Sequence, residues 1–163
     1  MKRLLLAAVV SLCAVGLSAC SQDQQGTPAQ QMSSWVTGTA FAQTLGTLRA
    51  DMAKSTLEVA SSQSSAAVHT VCGVMLVDVE SANSTLPTPD TQATNLLSQA
   101  YEKIGAAAHE CYDSVGDASK KASFARDRAA GLALLSEGQL QVESVLGHAV
   151  KPTTNDTGTT GVT

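Results

Sequence analysis

The sequence predicts an all-α protein, an up-down antiparallel four-helix bundle, on three observations. Apolar residues recur at every third or fourth position in four separate stretches. The alternation that a half-buried strand needs is missing at useful length, and each stretch ends on residues that break helices. A stripe at about 3.5 residues per turn is the seam of a bundle, since one face of each helix then meets its neighbours. The predicted helices cover 32–61, 65–83, 89–115 and 118–149.

The first helix rests on Phe41, Leu45, Leu48, Met52 and Val59, with Trp35 upstream. Nine residues separate Val59 from Val68, about 900° of rotation, which would put Val68 on the opposite face of a continuous helix. The intervening SSQSS is a poor helix interior, so a turn is expected there; the rival is one long, bent helix. Val68, Cys72, Met75 and Val79 form the second stripe. Pro87 and Pro89 exclude continued helix, and Thr88 is expected to cap the next helix with Pro89 at its first position. The third stripe runs Leu97, Tyr101, Ile104, Ala108, Cys111 and Val115. A turn follows at 116–119, with Asp117 the expected N-cap. The fourth stripe takes Leu132, Leu135, Gln139, Val142, Leu146 and Ala149, preceded by Phe124. Gly46, Gly73, Gly105, Gly131 and Gly138 fall inside predicted helices, where each costs about 1 kcal/mol against Ala and permits helix backbones to approach closely.

Ahead of the helices, Lys2 and Arg3 precede an apolar run from Leu4 to Gly16, too short for a comfortable transmembrane helix. The run closes on Leu17-Ser18-Ala19-Cys20, which resembles the lipobox of bacterial lipoproteins: an aliphatic residue, two small residues and a cysteine. That resemblance implies cleavage before Cys20 and attachment of diacylglycerol to its thiol, and two or three acyl chains hold a protein durably on a membrane. The implied organisation is a cleaved leader at 1–19, a lipidated tether at 20–31, the bundle at 32–149 and a disordered Thr-rich tail at 150–163. Without Lys2 and Arg3 the chain carries eight basic residues against fourteen acidic ones, a net charge of about −6. An acidic chain with no basic stripe is a poor nucleic-acid binder, and no nucleic-acid partner is expected.

The same processing removes Cys13 and commits Cys20 to lipid, leaving Cys72 and Cys111 in an oxidising compartment, where a disulfide is the default. Both lie on core stripes of helices expected to be antiparallel neighbours. Their sulfurs reach one height if the connection around TLPTP is extended. One inter-helix disulfide therefore completes the predicted fold class.

The stretch His109-Glu110-Cys111-Tyr112-Asp113 begins like a zinc-protease helix but has Asp113 where the second histidine belongs. His109 and Cys111 point about 200° apart on a helix, so no metal site is expected. Glu110, Asp113 and Asp117 could hold Ca²⁺ loosely, but a solvated face paired with Lys120, Lys121 or Arg126 is expected. Trp35, Phe41 and Tyr101 are the candidate lining of an apolar ligand site, weighed against ordinary core packing. The sequence holds no G-x-S-x-G elbow, phosphate loop or dinucleotide fingerprint, and neither catalytic residues nor a cofactor are expected.

The stretch VCGVMLVDVESANSTLPTPDTQATNLLSQAYEKIGAAAHECY is similar to small helical lipoproteins of actinobacteria, which share two helices, one cysteine in each, and an L-P-x-P-D connection. The resemblance implies a helical bundle in a Gram-positive envelope and transfers no activity and no functional residue. The expected function is a non-enzymatic interaction or accessory module held on the outer face of the membrane through Cys20. Its partner would be an envelope protein or a wall component. The alternative is a binding protein for a small apolar ligand, lipid or haem between the helices.

Overall fold

The computed structural model describes residues 26–61 and 64–154, and every regular element in that span is a helix. There are five where the sequence predicts four: α1 (Pro28–Gly38), α2 (Phe41–Ser61), α3 (Ser65–Asn83), α4 (Thr91–Tyr112) and α5 (Ala118–Leu146). The leader and Cys20 lie outside the described residues.

The extra helix arises because the predicted first helix breaks at Thr39–Ala40, where Ala40 adopts φ 51°. Trp35 and Phe41 are six residues apart, about 240° around an unbroken helix, so their rings would diverge. With the break they meet at 5.0 Å between centroids, and Trp35 Nε1 donates to the Thr85 carbonyl at 3.0 Å. The start of α1 also lies inside the predicted tether. Thr27 and Gln30 form a reciprocal capping box ahead of Pro28, satisfying donors that a helix start leaves orphaned.

The other boundaries follow local chemistry. Ser64 caps α3, consistent with the expected break in SSQSS. Asp90, not Thr88, caps α4: its carboxylate accepts from Ala93 N–H at 2.7 Å. Thr88 instead braces the turn, donating to the Asp90 carbonyl and accepting the Asp90 N–H. Helix α4 ends at Tyr112, short of the predicted 115, which leaves Val115 exposed. Asp117 caps α5 as expected, accepting from Ser119 and Lys120 N–H. At the far end of α5, Gly147 takes the left-handed conformation and returns its N–H to the Glu143 carbonyl.

The chain beyond α5 departs from the expected disordered tail. Val150 is buried, its N–H donates to Glu143 Oε1 at 2.9 Å, and Thr153 N–H donates to the Ala42 carbonyl at 2.9 Å. Gly46 makes room for this crossing, since a Cβ there would collide with the Thr153 carbonyl.

One core joins the helices. Leu45, Leu48 and Met52 from α2 share it with Cys72, Met75 and Val79 from α3. From α4 come Leu97, Ile104 and Cys111, and from α5 Leu135 and Val142. The predicted stripes of α2 to α4 are the buried ones. On α5 the buried stripe is Gly131, Leu135, Gly138 and Val142, while Leu132 and Gln139 are only half-buried. The glycines decide this: a Cβ at Gly131 would sit 2.7 Å from Ile104 Cγ1, and one at Gly138 the same distance from Leu97 Cδ2. Contacts of Gly131 with Ile104 and Gly138 with Leu97 also show that α4 and α5 run in opposite directions.

Candidate functional site

Helix α3 shapes the surface that matters most. Its inner face buries Val68, Cys72, Met75, Val79 and Ala82. Its outer face also carries apolar side chains: Val74 is 48% and Val77 63% exposed, beside Gly73, which has open space where a Cβ would be. Among the described residues α3 is the one helix long and apolar enough to cross a membrane. Its buried seam and its covalent tie to α4 account for it as a bundle helix.

That tie is the Cys72–Cys111 disulfide, with Cα atoms 5.7 Å apart and both residues buried. The pairing expected from the sequence is present. Beside it the rings of His69 and Tyr112 stack across α3 and α4, with centroids 4.0 Å apart and planes within 10°.

Along the α3–α4 seam runs an open groove of about 490 Å³. Leu76, Val79, Gly105 and Ala106 line it with apolar surface, Glu80 and Glu102 supply acids, and His109 stands towards the disulfide end. Tyr101 also lines it, although only 3% exposed, and its buried hydroxyl has no hydrogen-bond partner among the described residues. Burial alone pushes the Tyr101 pKa above its ordinary value, so the group remains a neutral donor at physiological pH.

The three candidate ligand residues are not brought together in this groove. Tyr101 lines it, whereas Trp35 and Phe41 pair at the α1–α2 break, with Phe41 in the core. Among the described residues no group of three or more His, Cys, Asp or Glu side chains is arranged to hold a metal. Cys111 of the zinc-protease-like stretch is in the disulfide, and Glu110 pairs with Lys120 at 3.1 Å, as expected of a solvated face.

A feature that sequence reasoning missed lies between α2 and α3. The Asp51 and Asp78 carboxyl groups face each other, Asp51 is 6% exposed, and its Oδ2 has no partner among the described residues. Burial first, then the hydrogen bond and charge of Asp78, push the Asp51 pKa up to about 7, with Lys54 opposing. The signal was present: Asp51 adjoins Met52 on the α2 stripe, an apolar seam where an aspartate is out of place.

No family model, curated protein or solved structure matches the chain.

Proposed function

We propose that the protein is a non-enzymatic interaction module of the bacterial cell envelope, held to the outer face of the membrane by acyl chains on Cys20. The observation that carries this reading is the amount of unpartnered recognition surface on one disulfide-tied helix pair. Helix α3 presents Val74 and Val77 outward and, with α4, walls the groove around Tyr101. An exposed apolar strip on a small domain marks an interaction surface, and a disulfide holds such a surface in shape. The lipobox at 17–20 supplies the anchor in this account, and helices α2 to α5 form an up-down unit with α1 as a short cap.

A ligand held inside the bundle has less support. The α4–α5 seam is closed to the point that Gly131 and Gly138 have no room for a methyl group. The outer groove is the place for recognition.

The test of anchoring is expression of the full chain in a bacterial host fed an alkyne-tagged fatty acid. The wild type takes up label and sediments with membranes, whereas Cys20→Ser is unlabelled and released. Equal labelling of both chains, or of neither, rejects the anchored reading.

A further inference from the structure

The side of α3 turned away from the core is built to receive a second backbone. Val74 and Val77 stand out from it, and no Asp, Glu, Lys or Arg occurs between residues 65 and 77. An open groove of about 510 Å³ lies over Gly73, lined by Thr70, Val74 and Val77, with His69 and Asp78 at its edges. Three other helix-interior glycines each make room for a neighbour: Gly46 for the Thr153 crossing, Gly131 and Gly138 for α4. A Cβ at Gly73 would meet nothing within 4 Å among the described residues. A glycine inside a helix is destabilising, and what it permits is the close approach of another backbone. No described segment of this chain makes that approach, so the gap serves a second molecule.

The charges around the strip decide which molecule. Helix α3 carries Asp78 and Glu80 but no Lys or Arg, so it is poorly suited to an anionic lipid surface. Its other polar rim group is His69, whose ring stacks on Tyr112 and makes no hydrogen bond among the described residues. His69 and Glu80 are eleven residues apart, about 20° from three full turns, and so share the α4-side edge of the strip. Asp78, nine residues from His69, lies on the other edge. A second α3 laid antiparallel, with a two-fold axis through Val74, keeps like edges together. His69 is five residues before Val74 and Glu80 six after it. Each histidine therefore comes beside Glu80 of the other copy, within about one residue's rise, while Asp78 comes beside the neutral Thr70. A parallel pair joins opposite edges instead and sets Glu80 of each copy beside Asp78 of the other, acid against acid.

We propose that the outer face of α3 is a self-association surface, on which a second copy of this chain packs its own α3 antiparallel across Val74, with Gly73 admitting the close approach and His69 meeting Glu80 of the other copy. The proposal rests on the interaction-module reading and names the partner of that module's exposed strip. The face from Ala66 to Ser81 is about 22 Å long, and one helix pair of that length buries about 1,000 Å² in total, the weak end of specific interfaces.

The experiment is sedimentation equilibrium of the exported, disulfide-bonded Cys20→Ser chain from about 10 µM to about 1 mM, where lipid plays no part. The expected result is a monomer–dimer equilibrium with no larger species, as an isologous contact requires. Gly73→Leu weakens association about tenfold or more while the melting temperature does not fall, since the new side chain has open space within the monomer. Glu80→Lys distinguishes the two orientations: it weakens the antiparallel pair by about threefold or more and would strengthen a parallel one. Under mild oxidation Val74→Cys, on the axis, forms a covalent dimer, whereas exposed Ser81→Cys, seven residues away, does not. A chain that is monomeric at about 1 mM, association untouched by Gly73→Leu, stronger association with Glu80→Lys, or equal cross-linking at 74 and 81 overturns the proposal. So does a monomer that instead binds vesicles of anionic phospholipid. A Cys20→Ser chain that dimerises while the wild type takes no fatty acid refutes only the anchor. A wild type that takes fatty acid while the Cys20→Ser chain stays monomeric refutes only the pairing.

Discussion

The substitution Asp51→Asn should remove the pH dependence that the α2–α3 seam gives this protein. The Asp51 carboxyl, 6% exposed and facing Asp78, has its pKa raised from 3.8 to about 7, first by burial and then by hydrogen bonding to and charge on Asp78, with Lys54 on the same helix opposing. The native state therefore keeps a proton that the unfolded chain releases above about pH 4. The contribution of this pair is full below that pH and is lost as pH rises through about 7. At about 1.4 kcal/mol per unit, a shift of about three units corresponds to about 4 kcal/mol lost by pH 8, a ceiling because α2 and α3 relax and admit water when both acids ionise. The asparagine amide of the variant donates its hydrogen to Asp78 without needing a titratable proton. Urea unfolding of the disulfide-bonded protein at pH 5 and pH 8 measures the difference, and other carboxylates cancel between variant and wild type. The variant should lie within about 1 kcal/mol of wild type at pH 5 and exceed it by about 2–4 kcal/mol at pH 8. An equal difference at both pH values would refute the shared-proton account.

Three other substitutions probe the packing. Cys111→Ser opens a loop closed over a separation of 39 residues and should cost about 4 kcal/mol in the chain-entropy account, seen as a sharply lower melting temperature. An unchanged melting temperature would remove the disulfide from the stability account. Gly131→Ala places a methyl group 2.7 Å from Ile104 Cγ1 and 3.2 Å from Ile104 N, so calorimetry should show a loss of about 1–3 kcal/mol despite the better helix former. Gly73→Ala has nothing within 4 Å of the new atom and should instead gain up to about 1 kcal/mol. If both changes move stability in the same direction, the close approach of α4 and α5 is not what the glycine provides.

Much of the fold was legible locally. The stripes of α2, α3 and α4 are the buried faces, and the Cys72–Cys111 pair and the Asp117 cap stand as expected. The errors have separate causes. On α5 the buried positions include Gly131 and Gly138, which an apolar count passes over because they contribute no side chain to bury. The break at Ala40 and the return of 150–154 over α2 depend on groups distant in sequence, the Thr85 and Ala42 carbonyls, whereas the choice of Asp90 over Thr88 as cap is set within the turn itself. Of the candidate site, Tyr101 was named from the sequence, but Glu80, Glu102 and the groove-lining role of Gly105 were not. They are ordinary surface and helix residues until α3 and α4 are set side by side.

By itself the sequence determined the all-helical class, the buried faces of three helices and the identity of the bonded cysteines. Each of these follows from rotation along one helix, the bonded cysteines being the two that fall on core stripes. Only the tertiary structure decided which unlike residues share a surface. Glu80, Glu102, Tyr101 and Gly105 come to line one groove between α3 and α4, and Asp51 meets Asp78 across the seam of α2 and α3. Those juxtapositions depend on the register between helices, which is set by side chains interlocking at distance and by one covalent bond, and no spacing within a single helix encodes it.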